Sequence, residues 1–207
     1  ENPNTFYPMM GLHPCDVKAN YKDALETIYT YLKKDPSRYC GVGEIGLDYH
    51  WDLSFKQQQL DALKTQFEWA IEFDKAVSIH SRKSNDDMIP LITEYSKKGL
   101  RGVMHCFSGT KNEASKIIDT GFYLGLGGVL TFPKSGLQEV VKDIDLKHIV
   151  LETDSPYLAP VPYRGKRNES SYVKEIALFL AKLKGIDVDE VAVKTTANAM
   201  SIFKLPV

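Results

Sequence analysis

Six short apolar runs that do not alternate, separated by stretches of helical spacing, limit what this 207-residue chain can fold into more than any other feature. The runs are Phe6–Leu12, Tyr39–Leu47, Ala76–Ile79, Gly102–Cys106, Phe122–Leu126 and His148–Leu151. A strand that is apolar on both faces must be covered on both faces, the situation of parallel strands flanked by helices. Between the runs, Leu25, Ile28, Tyr29 and Leu32 recur at i, i+3, i+4 and i+7, and Leu60, Leu63, Phe67 and Ile71 form a similar stripe. Ser54 with Gln57, Thr110 with Glu113 and Asp187 with Glu190 have the spacing of capping boxes. Two helices, over residues 171–184 and 187–203, close the chain. The pattern predicts one α/β domain over residues 1–207.

Within that class an open sheet gathers its ligands at one switch point, whereas a closed barrel gathers them from the C-terminal ends of many strands. Here His13 follows the first run, Glu44 lies late in the second and His80 follows the third. His105 stands at the fourth and Asp154 just beyond the sixth. Only the fifth run, ending in Gly125, Gly127 and Gly128, lacks a reactive group. This distribution predicts a TIM-like (β/α) barrel. Such a barrel has eight strands and six are legible, so the first two are expected to precede Glu1, itself not a methionine.

Composition removes several function classes. A net charge of −1 exerts no global pull on polyanions, so a nucleic-acid partner needs a local basic patch. Three scattered cysteines without a CxxC pair give neither a disulfide framework nor a structural zinc site, and predict reduced thiols in the cytoplasm. No apolar run approaches the roughly 18–20 residues of a membrane span, and no secretory signal opens the chain.

Imidazole and carboxylate at several strand tips make a donor set suited to zinc, nickel, manganese or magnesium. Such groups hold an ion while leaving positions open for water and substrate, which is the requirement of hydrolysis. Taken singly, a histidine after an apolar run is more often a hydrogen-bonded boundary residue. The case rests on Glu44, His80, His105 and Asp154 occurring at equivalent positions.

The segments GLHP (Gly11–Pro14), GEIGLDY (Gly43–Tyr49), SIHSR (Ser78–Arg82), HCFSG (His105–Gly109) and LETDSPYLAP (Leu151–Pro160) fall in an order and spacing that closely resembles the TatD-type metal-dependent deoxyribonucleases. These are a branch of the amidohydrolase-like barrel hydrolases. The resemblance covers about Tyr7 to Phe203. It implies a two-metal site in which Glu44 bridges both ions and His80 and His105 complete the set of one. Asp154 would bind the other ion and act as general base on the attacking water, with Asp48 structural. The resemblance also implies an HxH pair on an earlier strand. No HxH occurs in this sequence, so about fifty further residues are expected ahead of it, and the second ion's set is incomplete here. Magnesium and attack at 3′ ends are carried over from the family alone.

On the substrate side, Arg164, Lys166 and Arg167 follow the sixth run, where barrels commonly hold phosphate. A solvated charge cluster is the plain alternative. Ser170 stands where proline is usual in similar sequences, which predicts a less rigid loop. Arg82 is a phosphate clamp or a rim ion pair, and His13 a substrate contact, a proton donor to the leaving group or a loop-fixing residue. The function expected is exonucleolytic hydrolysis of DNA, single-stranded or at strand ends, by a metal-activated water, with no membrane or obligate protein partner. The rivals are an amidohydrolase or esterase on a small substrate, and an inactive binding module.

Overall fold

The computed structural model describes residues 6–206. The backbone divides into two compact units, one reaching to Val103 and including Ile202–Leu205, the other running from Met104 to Ser201. The first unit alternates β1 (Met9–Met10), α1 (Tyr21–Lys34), β2 (Gly41–Asp48), α2 (Lys56–Glu72), β3 (Ala76–Arg82) and α3 (Asn85–Ser96). β1 pairs in parallel with β2, and β2 with β3. The β2–β3 register sets Val42 opposite Val77 but Ile45 opposite Ile79, so β2 carries one extra residue between them. Such a bulge re-aims a side chain. Glu44 stands within it, and it is the one residue of β2 that is not buried.

Strand β4 (Gly102–Met104) falls at the division between the units. The second unit contains α4 (Lys111–Asp119), β5 (Tyr123–Leu126), α5 (Leu137–Val141), β6 (Ile149–Leu151), α6 (Val173–Lys184) and most of α7 (Val188–Phe203). β5 and β6 are parallel, with Leu124–Leu126 opposite Ile149–Leu151. Parallel strands separated by helices make the chain α/β, as the apolar runs predict. Five strands are shorter than those runs, so that of Phe6–Leu12 only Met9 and Met10 form a ladder, whereas β3 continues three residues past Ile79 to Arg82.

Each unit has its own apolar interior. In the first, Val42, Ile45, Leu47, Val77 and Ile79 of the strands bury completely, as do Leu63 and Phe67 of α2 and Met88 and Ile92 of α3. In the second, Leu124, Leu126 and Ile149 bury with Ile117, Val141, Ile176 and Leu180. Each such side chain contributes about 1.5–3 kcal/mol relative to exposure.

Two of the three predicted caps form. Thr110 and Glu113 make a reciprocal capping box on α4, and the Asp187 carboxylate accepts from the Asp189 amide at the start of α7 (2.7 Å). Ser54 does not cap α2, whose N-cap is Phe55. The Ser54 amide instead donates to Asp52 Oδ1 at 2.8 Å, a local turn that takes the chain before the helix begins. No helix among the described residues is long and apolar enough to cross a membrane.

Candidate metal centre

In the first unit the donors converge on Glu44. The Oε1 atom of Glu44 lies 3.0 Å from His80 Nδ1 and 3.5 Å from His13 Nε2. The two imidazoles meet edge to face with centroids 4.7 Å apart. Ligand atoms of His13, Glu44 and His80 all lie within 4.8 Å of one another. The second nitrogen of His80, Nε2, is 2.9 Å from Asp48 Oδ2. Asp48 is 2 % exposed, and its other oxygen accepts from the His50 amide at 2.8 Å. His80 therefore sits between a buried carboxylate on one nitrogen and a half-exposed one on the other.

The backbone here is held by buried glutamines. Gln66 of α2 brackets Leu12, accepting from its amide at 2.6 Å and donating to its carbonyl at 3.3 Å. Gln59, about two turns earlier on the same helix, does the same to Asp48 at 2.9 and 3.2 Å. These pairs satisfy main-chain groups that the ends of β1 and β2 would otherwise leave buried and unbonded. They fix the residue before His13 and the anchor of His80. Gly46 allows β2 and β3 to approach: at φ 154°, a Cβ there would lie 1.9 Å from the His80 carbonyl oxygen.

Electrostatics follow the geometry. Burial opposes the charge on His80, yet its bonds to Glu44 and Asp48 prevail and raise the imidazolium pKa above its ordinary value. Burial likewise opposes ionisation of Asp48. The His50 amide and the His80 ring outweigh it and hold the carboxyl below the usual range.

The second unit repeats the arrangement. His105 Nδ1 lies 2.9 Å from Glu152 Oε2, and Nε2 lies 3.4 Å from Asp154 Oδ1. The other oxygen of Glu152 accepts from the Cys106 amide at 2.5 Å. Ligand atoms of His105, Cys106 and Glu152 also lie within 4.8 Å of one another. Gly125 leaves the space that Glu152 occupies, since a Cβ there would meet Oε2 at 2.6 Å. Cys106 and Asp154 both have positive φ, 49° and 57°, which turns the chain sharply as it leaves each strand.

Both sets fit a divalent ion by donor chemistry. Each presents an imidazole between two carboxylates, one bonded by a backbone amide and one more open. A metal-binding histidine commonly gives its second nitrogen to a carboxylate that fixes ring and tautomer. Asp48 and Glu152 have that geometry, with Glu44 and Asp154 at the opposite ring nitrogens.

The predicted site residues thus fall into two groups. Glu44 and His80 come together with His13, which joins them as a third potential donor. His105 and Asp154 come together in the second unit. Arg82 places its guanidinium 5.1 Å from the Trp51 ring centroid, and Arg164 lies 4.1 Å from that of Phe132. Lys166 is exposed. The loop carrying Arg164 and Lys166 is tied at Asn168, whose Nδ2 donates to the carbonyls of Thr153 (2.6 Å) and Tyr157 (2.5 Å). Ser170 therefore does not leave that loop unanchored. Sequence reasoning missed Glu152, Cys106 and the glutamines. Glu152 and Asp154, two apart at the end of a strand, carried a usable signal.

Imidazole and carboxylate held together where parallel strands end is the construction of a metal-dependent hydrolase. The sequence model described as TatD related DNase matches residues 1–204, and the chain belongs to the TatD family of metal-dependent hydrolases. It is 36% identical to the uncharacterized metal-dependent hydrolase YabD of Bacillus subtilis, over 99% of this chain and 80% of that protein. It is 30% identical to the 3′-5′ ssDNA/RNA exonuclease TatD of Klebsiella pneumoniae, over 95% of this chain and 76% of that one. The crystal structure of YjjV, a TatD homolog from Escherichia coli, superposes with a TM-score of 0.90 at 28% identity, covering 97% of this chain and 77% of that one. The fold is accordingly α/β of the TIM-like barrel class.

Proposed function

We propose that this chain is a metal-dependent nuclease that hydrolyses DNA phosphodiester bonds from a strand end. The observation that carries the reading is the doubled carboxylate–imidazole–carboxylate arrangement, one in each unit. Glu44 and His80 in the first unit, and His105 and Asp154 in the second, are the proposed metal ligands. A bound divalent ion lowers the pKa of its water and polarises a phosphoryl oxygen. Two ions are proposed, with magnesium carried over from the resemblance, zinc or nickel favoured by the imidazole donors and manganese suited to the carboxylates.

The remaining steps belong to side chains. Asp154 is the proposed general base, orienting the attacking water and taking its proton. His13 reaches Glu44 through Nε2 while Nδ1 accepts from the Cys15 amide at 3.2 Å, which fixes its ring for a substrate contact. Arg82, Arg164 and Lys166 are the proposed phosphate contacts, a role suited to guanidinium geometry. The substrate named for the Klebsiella relative supports nucleic acid as partner. Three free cysteines support a reducing, cytoplasmic setting.

The decisive experiment presents single-stranded DNA and a panel of carboxylic esters to metal-reconstituted protein, with metal content measured alongside. Release of mononucleotides from DNA is expected. Hydrolysis of the esters with DNA left intact would reject the nuclease and favour the amidohydrolase alternative.

A further inference from the structure

The loop after β2 presents an indole to solvent beside the first donor cluster. Trp51 exposes 72 % of its surface. Its position is nonetheless defined from two sides. The Arg82 guanidinium lies 5.1 Å from its centroid, and the His50 ring meets it edge to face at 4.7 Å. His50 is itself held by the hydrogen bond its backbone N–H donates to Asp48 Oδ1. Arg82 is the residue paired with Asp48 in the β2–β3 ladder, two positions beyond His80. The Trp51–Arg82 pair thus stands one step outward from the Asp48–His80 pair, at the same ends of the same two strands.

A large ring left in water beside a charged cluster gives up the stabilisation it would gain by burial. It is well suited to the flat face of a nucleobase, since stacking on an aromatic side chain tolerates every base. A guanidinium lying against an aromatic face keeps N–H donors at its edge, and these match phosphate oxygens. We propose that Trp51 and Arg82 form a nucleotide subsite, the indole stacking an unpaired base and the guanidinium edge contacting a neighbouring phosphate. A base inside a duplex has no free face to offer, so this subsite selects a single-stranded or frayed end. The inference rests on the nuclease reading and refines its substrate.

The chain has two tryptophans, and Trp69 is only 8 % exposed, so quenching of exposed-indole fluorescence reports on Trp51 directly. The test titrates the protein in EDTA, where turnover stops, with a thymidine octanucleotide and with an abasic octanucleotide of equal charge. The thymidine strand is expected to quench the emission and to bind roughly tenfold or more tightly than the abasic one. W51A should lose about that factor for the thymidine strand alone, and W51F should keep most of the affinity without the quenching. In steady state with divalent metal, W51A should raise KM for DNA with kcat nearly unchanged.

Equal binding of both strands by wild-type protein, or wild-type affinity and KM in W51A, would overturn the subsite while leaving DNA hydrolysis intact. Wild-type protein that cleaves esters and no DNA would instead overturn the nuclease reading, and the octanucleotide titration would still decide the subsite separately.

Discussion

Replacing Asp48 by asparagine removes a charge that is 2 % exposed while keeping the side chain's shape. The His50 amide is a donor, so it claims the single oxygen of the new amide. The amide NH2 group then faces His80 Nε2, where the carboxylate oxygen stood at 2.9 Å. An NH2 can only donate, so Nε2 must present its lone pair and the ring proton moves to Nδ1. That is the nitrogen 3.0 Å from Glu44, the one proposed to bind metal. The variant therefore puts a proton where a ligand lone pair is required. Losing the carboxylate behind a metal-binding histidine typically costs about 10–100-fold in affinity, or about 1.4–2.8 kcal/mol. Calorimetric titration with zinc or manganese measures the affinity, and long-range nitrogen–proton NMR of the metal-free protein reads the His80 tautomer. A D48N protein that binds metal within about twofold of wild type with an unchanged tautomer would refute this chain of cause.

Other perturbations probe different parts of the molecule. E152Q should act in the same way on His105, because the Cys106 amide claims the one remaining oxygen; metal stoichiometry by elemental analysis should fall. Metal affinity should decline as pH falls through the raised His80 pKa, since proton and ion compete for Nδ1, and calorimetry in buffers of different ionisation enthalpy should register proton release on binding. The same shift stabilises the metal-free fold fully below the ordinary imidazole range. That contribution is lost as pH rises through the folded-state value, so apparent melting temperature with chelator should drop in that window. G46A should destabilise by about 2–3 kcal/mol or more in urea unfolding, because its Cβ would overlap the His80 carbonyl oxygen. The double variant R164A/K166A should raise KM for DNA and flatten its salt dependence by about one power for each phosphate that is no longer neutralised.

Much of the architecture was legible because its signal is local. Apolar runs without alternation mark strands covered on both faces, and Glu44 announces itself as a charge within the most buried of them. The residues that orient the donors were harder to see. Asp48 reads as a loop-fixing carboxylate, and it does bond the His50 amide, but its second oxygen serves His80, thirty-two positions along the chain. Glu152 lies forty-seven positions from His105. Pairings of that range are set by strand register, which a periodicity argument does not supply. The bulge that turns Glu44 outward is equally invisible, since one surplus residue in a ladder has meaning only against its partner strand.

The pair of amide clamps on α2 has a consequence for how this region tolerates change. Gln66 follows Gln59 by seven positions, close to two full turns, so the helical pitch itself acts as the ruler between the two backbone segments they grip. Loop lengths can drift through insertion or deletion while the gripped residues stay in place. A single residue added between the two glutamines would swing one of them around the axis by about 100° and release its segment. Helix α2, which supplies none of the clustered donors, is then the segment where the spacing of the site is stored.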